Sequence, residues 1–170
     1  MLRDWLESDA AELTAQANDR RIWLGLRDVF PHPYGIDDAR AFIGRAMEMS
    51  PRTLLAVEVD GRVAGGIGYA LHGDVERVSA EVGYWLGHEF WGRGIATTAV
   101  RLLTRHAFGA QPELRRLYAM PYARNLASAR VLEKAGYTRE AVLRQAVIKD
   151  GQVLDQFVYA ILRDELRDIG

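Results

Sequence analysis

Trp91-Gly92-Arg93-Gly94-Ile95-Ala96-Thr97 is the stretch from which the fold of this chain can be read. Two glycines one residue apart separate a run of strand character, ending near Gly87, from a helical pattern that begins near Ile95. Glycines there permit a tight turn and let successive backbone N–H groups aim at one point. A helix starting directly behind adds the positive end of its dipole, so the turn suits a di- or polyphosphate. Arg93 supplies either a further charge or only a solvated side chain. Two common phosphate motifs are excluded by spacing. The G-x-x-x-x-G-K-[ST] loop is absent, and Thr97 occupies the place of the third glycine of G-x-G-x-x-G. The turn also comes late in the chain, not after a first strand. Taken alone, it is equally a strand-to-helix connection with no ligand.

Working outward, residues 78–86 read as a strand with Val78, Ala80, Val82, Tyr84 and Leu86 on one face. Ser79, Glu81, Gly83 and Trp85 take the other face. Before it, residues 53–59 and 62–71 are β-rich runs joined by Asp60-Gly61, a two-residue hairpin signal. The first fifty residues read as helical. Ser8-Asp9 precedes a short helix from Ala10, and a second helix runs over residues 21–29. Phe30-Pro31-His32-Pro33-Tyr34-Gly35 stops it, because two alternating prolines favour an extended loop. A third helix restarts at Ile36 and ends near Ser50-Pro51.

Downstream of the glycine turn, Ile95, Ala99, Leu102 and His106 form a helical stripe. Residues 114–120 then read as a strand that crosses back after that helix, which implies a parallel pair. Asn125 caps a helix through Ala135, closed by Gly136 where a left-handed residue ends a helix. Residues 137–148 and 152–162 form a second hairpin around Asp150-Gly151. The expectation is an α/β (α+β) domain over residues 1–170. Its twisted sheet is mixed and mostly antiparallel, with one central parallel strand pair and flanking helices.

Composition narrows the function classes. A hydrophobic fraction of 49% with 26% charged residues is that of a folded soluble domain. A formal net charge of -1 argues against nucleic acid as a partner. Arginine pairs such as Arg20-Arg21 and Arg115-Arg116 read as solvated faces. The chain has no cysteine, which excludes disulfides, thiolate metal sites and a cysteine nucleophile. His32, His72, His88 and His106 lack metal-ligand spacing, so no metal is expected. The charged start of the chain is no signal peptide, and no apolar run approaches the roughly 20 residues that span a bilayer. The expected setting is cytoplasmic, without a membrane partner.

Two motifs together carry a family resemblance. Glu81-Val82-Gly83-Tyr84-Trp85-Leu86-Gly87 followed by residues 91–97 resembles the acetyl-CoA signature of the GNAT N-acetyltransferase superfamily. Asn125-Leu126-Ala127-Ser128 and Leu132-Glu133-Lys134-Ala135-Gly136-Tyr137 resemble its second signature. The order of elements matches that fold over nearly the whole chain, and the nearest branch includes ribosomal-protein N-terminal acetyltransferases. The resemblance implies that backbone groups of Trp85, Leu86 and Gly87 pair with the pantetheine arm of acetyl-CoA. It implies that amides from Gly92 through Arg93, Gly94, Ile95, Ala96 and Thr97 hold the pyrophosphate, and that Asn125 contacts the pantetheine side. One departure is Trp91, where many members carry Gln or Arg.

Acetyl transfer to an amine needs a base, since an ammonium has no lone pair. Glu81 matches the carboxylate position often used in the family; otherwise it is a strand-surface glutamate paired with an arginine. The position where many relatives place a tyrosine acid is Leu132 here. As the ribosomal-protein branch implies, Ser128 is then the expected donor to the leaving thiolate or a group that contacts it, unless it only back-bonds within its helix. Tyr84, Tyr118 and Tyr122 are fallback donors, and a strand amide near Trp85 would meet the oxyanion. The Phe30–Tyr34 loop lies in the region that walls the acceptor site in this branch, or is simply a packed loop. Trp23 and Trp85 line the same cleft or belong to the core. The expected acceptor is a primary amine, of a protein N-terminus or a small molecule. The competing readings are a catalytically silent acetyl-CoA sensor and a nucleotide-binding enzyme that uses the same glycines. A homodimer would pair through the C-terminal hairpin.

Overall fold

The computed structural model describes residues 1–168. Its seven strands are β1 (Leu2–Arg3), β2 (Leu54–Val59), β3 (Arg62–Leu71), β4 (Ser79–Leu86), β5 (Arg116–Ala119), β6 (Thr138–Lys149) and β7 (Gln152–Leu162). They form one sheet in the order β1-β2-β3-β4-β5-β7-β6. The β4–β5 pair is parallel, with Glu81 opposite Tyr118. The β1–β2, β2–β3, β5–β7 and β6–β7 pairs are antiparallel. The helices are α1 (Ala10–Ala17), α2 (Arg20–Trp23), α3 (Ile36–Glu48), α4 (Ile95–Ala110) and α5 (Leu126–Lys134). The mixed α/β class, the mostly antiparallel sheet and the single parallel step agree with the sequence.

The chain divides into two compact units, one of residues 1–68 and 84–99, the other of residues 69–83 and 100–170. In the first, Trp5, Leu13, Ala17, Tyr34, Ala39, Ile43, Ala56 and Val63 make a buried cluster against which Phe30, Phe42 and Trp85 pack. Asp60 and Gly61, with φ of 52° and 75°, form the mirror-image turn that matches the twist of the β2–β3 strands. Within β3, a Cβ on Gly65 would run into the carbonyl oxygen of Trp85. Glycine at that place lets the end of β4, which leads into the glycine turn, lie close against β3. In the second unit Leu103, Ala107, Phe108, Leu114, Leu117, Leu132, Tyr137, Tyr159 and Ile161 are buried. The β6–β7 turn repeats the device of the first hairpin, with Asp150 and Gly151 at φ 54° and 71°.

Four expectations need correction. The first fifty residues are not all helical, because Leu2–Arg3 pairs with β2 and the Met1 ammonium donates to the Glu58 carbonyl at 2.7 Å. The second helix covers only Arg20–Trp23. Beyond it, Gly25 and Leu26 donate to carbonyls three residues back, which is turn bonding and not helix. The third strand begins at Ser79, one residue late, and Val78 is left 39% exposed. On α4 the buried stripe is Ala99, Val100, Leu103, Thr104, Ala107 and Phe108, while Leu102 faces out at 40% exposure and His106 is exposed.

Candidate active site

The glycine turn belongs to the first unit. Strand β4 ends at Leu86, a short 3-10 turn covers His88–Phe90, and α4 starts at Ile95. Gly92 and Gly94 have φ of 73° and 76°, in the left-handed region that favours glycine. Among the described residues, the amides of Gly92 through Thr97 donate to no backbone carbonyl; the first to do so is that of Thr98, to Gly94 at 3.1 Å. Six consecutive N–H groups are therefore unspent, three of them on the first turn of a 16-residue helix. Such a turn can accept a pyrophosphate through its backbone alone.

Side chains brace this turn from both sides. The Trp91 indole N–H donates to the Leu86 carbonyl at 2.8 Å, tying the turn back to the end of β4. Gln16 donates to the Glu89 carboxylate at 2.5 Å, and Arg62 grips the same carboxylate through two bonds of 3.0 Å. Arg62 also reaches Glu12 at 3.1 Å, and Glu12 accepts the Val63 amide at 2.8 Å. Arg62 and then Gln16 hold the Glu89 carboxyl below the usual range, with Arg93 a smaller influence. Arg93 is exposed, its guanidinium 5.7 Å from the Phe90 ring centroid. The Gly87 amide is spent on the Ala64 carbonyl at 2.8 Å, and a Cβ on Gly87 would run into the Gln16 side chain. Of the backbone groups expected to meet a pantetheine arm, the Leu86 carbonyl thus accepts the Trp91 indole and the Gly87 amide is already engaged.

Glu81, Asn125 and Ser128 belong to the second unit. Glu81 is half-buried on β4, opposite Tyr118 of β5. Asn125 is the N-cap of α5, its side-chain oxygen accepting the Ser128 amide at 3.1 Å, which leaves the carboxamide NH2 for another partner. Ser128 lies half-buried in the first turn of that helix. Leu132 is fully buried, so the place where many relatives carry a tyrosine is core here.

A group missed from the sequence is His72. Its Nε2 shares a 2.7 Å hydrogen bond with the Tyr118 hydroxyl, and the two rings stack with centroids 5.7 Å apart. The backbone N–H of His72 donates to the Ser79 carbonyl at 3.3 Å. The partners are 46 residues apart, and only the parallel β4–β5 register brings Tyr118 beside Glu81. Metal-ligand spacing in the sequence does not detect such a pair. Among the described residues no group of three or more His, Cys, Asp and Glu is placed to hold a metal ion.

In the Phe30–Tyr34 loop, Phe30 packs on Tyr34 at 4.8 Å and edge-on to Trp85 at 5.7 Å. His32 stacks on Trp23 at 5.7 Å. Tyr34 and Trp85 therefore belong to the core of this unit, whereas Trp23 is half-buried and His32 exposed.

The family model described as an acetyltransferase (GNAT) domain matches residues 1–138. "Probable N-acetyltransferase YjcK" of Bacillus subtilis is 42% identical over 87 residues, covering 51% of this chain and 48% of that one. "Putative ribosomal N-acetyltransferase YdaF" of the same organism is 36% identical over 107 residues, 62% of this chain and 57% of its own. The matched stretches thus span about half of these curated relatives. The crystal structure of the microcin C7 self-immunity acetyltransferase MccE, in complex with acetyl-CoA and AMP, superposes with a TM-score of 0.81 at 25% identity. That match covers 95% of this chain and 91% of that one. With an unspent amide turn behind a Glu81-bearing strand and a family match over 138 residues, the chain belongs to the GNAT acetyltransferase domain family.

Proposed function

We propose that the chain transfers an acetyl group from acetyl-CoA to a primary amine, residues 1–170 working as one acetyltransferase domain. The observation that carries this is the run of six unspent amides from Gly92 to Thr97 ahead of α4, in a chain of the GNAT family. These amides would hold the pyrophosphate. The backbone of Trp85 and Leu86 would meet the pantetheine arm, with Gly87 shaping the approach and the Asn125 NH2 adding a contact. Arg93 would supply positive charge at the rim of the turn.

In this reading the amine attacks the thioester directly, in a ternary complex. Glu81 takes the proton that the attacking nitrogen must lose, and Ser128 donates to the departing thiolate. An α-amino group, with an ordinary pKa of about 7.7–8.0, yields its proton more readily than a lysine-like amine near 10.4. The acceptor is therefore a protein N-terminus or a small-molecule amine of similar basicity. YdaF is named for a ribosomal acceptor, which favours the protein N-terminus. No helix among the described residues is long and apolar enough to cross a membrane; a cytoplasmic setting belongs to the proposal.

The test has two steps. Acetyl-CoA and CoA should raise the melting temperature while ATP and NAD leave it unchanged; no shift with either CoA compound sinks the proposal. Release of free CoA thiol is then followed against a panel of N-terminal peptides and small amines. Binding without turnover on any amine, and an unaltered Glu81→Gln, would instead identify a silent acetyl-CoA sensor. A homodimer through the edge strand β6, where Ile148 is 69% exposed, belongs to the same proposal, and light scattering decides it.

A further inference from the structure

We propose that Tyr118 and His72 form a proton-exit relay for Glu81, carrying to solvent the proton that this carboxylate takes from the amine. The inference rests on Glu81 acting as the base. Register places Glu81 and Tyr118 opposite each other on adjacent parallel strands, so their side chains leave the same face of the sheet. The Tyr118 hydroxyl is 2.7 Å from His72 Nε2. The other ring nitrogen, Nδ1, is 4.0 Å from the Glu76 carboxylate, and the His72 side chain is 32% exposed. One end of the pair therefore lies on the same face of the sheet as the base, on the neighbouring strand, and the other is partly exposed.

The protons balance. Glu81, protonated by the ammonium, gives that proton to the Tyr118 oxygen as the hydroxyl passes its own proton to His72 Nε2. The imidazolium then loses its Nδ1 proton to water, leaving Glu81 a carboxylate, Tyr118 a neutral phenol and His72 the Nε2–H tautomer. That tautomer returns to the Nδ1–H form by exchange with water before the next turnover. A tyrosine cannot store the charge at neutral pH, since its ordinary pKa is about 10, but it can hand a proton on. Histidine is the side chain whose ordinary pKa suits the release step. Backbone anchoring of His72 to Ser79 at 3.3 Å and ring stacking on Tyr118 fix the imidazole for this transfer.

Several other charges surround the pair. Asp74 and Glu76 lie on the turn after His72, where Arg77 donates to the Asp74 carbonyl. On β5 the Arg116 guanidinium is 5.7 Å from the Tyr118 ring centroid, and Glu140 of β6 neutralises it.

Two measurements on the full chain test this. Long-range proton–nitrogen NMR of the protein alone follows His72 across pH. The wild type should show hydrogen on Nδ1 and a lone pair on Nε2. Glu81→Gln should move the His72 Nε2 resonance, and Tyr118→Phe should abolish that tautomer preference. A His72 Nε2 resonance indifferent to Glu81→Gln overturns the relay, whether or not any amine is acetylated. The second arm measures thiol release with acetyl-CoA and tetra-alanine as probe amine. Tyr118→Phe and His72→Ala should each lower kcat about tenfold, below the contribution of a direct acid or base, and leave KM for acetyl-CoA unchanged. Added imidazole should restore His72→Ala and leave Tyr118→Phe slow. A kcat equal to that of the wild type in both variants, or no rescue, overturns the relay. Loss of acetyl-CoA turnover in the wild type counts against the acetyltransferase reading alone, because the NMR coupling still decides the relay.

Discussion

Gly92 and Gly94 hold φ of 73° and 76° with nothing within 4 Å of the space a Cβ would take. The demand for glycine there is conformational and not steric. Gly94→Ala should therefore cost about 1–2 kcal/mol, the penalty of an L-residue in left-handed backbone, as read by urea denaturation. Its larger effect should be weaker acetyl-CoA binding by calorimetry, because the amides on either side re-aim. Trp91 acts differently. The indole bond to Leu86 stands where many relatives carry Gln or Arg, and it ties the turn to β4 through the backbone. Trp91→Phe keeps an aromatic ring and deletes the donor together with part of the indole. It should raise KM for acetyl-CoA several-fold with kcat nearly unchanged; a fall in kcat alone would remove Trp91 from the donor side. Asn125 can be divided in the same way. Asp caps a helix as well as Asn does, whereas Ala loses about 1 kcal/mol. Asn125→Asp should thus melt like the wild type and still bind CoA less well, since it lacks the NH2. Equal CoA affinity would leave Asn125 as a cap only.

At the scale of elements, α4 makes the sharpest case. Leu102 and Leu103 are adjacent, yet one is 40% exposed and the other fully buried. Leu103→Ala should cost about 2–5 kcal/mol through the cavity it leaves, and Leu102→Ala far less; chemical denaturation distinguishes them. Two apolar stripes rotated by one residue, about 100° on a helix, fit the same sequence, and only the neighbours choose between them. The features that were legible all have local causes. The Asp60-Gly61 and Asp150-Gly151 turns are set by left-handed backbone, the Asn125 cap by its own side chain, and the end of α5 by Gly136 at φ 94°. The features that were not legible depend on distant partners. Strand β1 is two residues long, too short for any period, and is fixed by Glu58. Helix α2 ends where Gly25, about 1 kcal/mol worse than alanine in a helix, meets turn bonding. The candidate site divides along the same line. The glycine turn and the Asn125–Ser128 motif are contiguous strings, while the His72–Tyr118 pair exists only once β4 and β5 are parallel.

For the molecule as a whole, titration gives two arms to a stability profile. The carboxyls of Asp19, Glu89 and Glu140 are all held low by arginine hydrogen bonds, from Arg21, Arg62 and Arg116 respectively. As pH falls below the ordinary carboxylate range, the unfolded chain takes up protons that the folded chain still refuses. The stabilisation is thus complete above that range and disappears as pH drops through the folded values. Glu140→Gln should flatten part of this acid arm. The alkaline arm runs the opposite way. Tyr34 is 4% exposed, and burial, helped by Asp38, pushes its phenol up to about 12 from an ordinary 10. Above pH 10 the unfolded chain releases this proton and the folded chain keeps it, so stability is full below pH 10 and falls until about pH 12. Phe at this position fills the same volume without a proton to lose. Urea midpoints of wild type and Tyr34→Phe should therefore differ by a constant amount up to pH 10 and shift in favour of the variant above it. A difference that stays constant through pH 12 would mean that the Tyr34 hydroxyl reaches water, and that the loop carrying it opens to solvent in the folded chain.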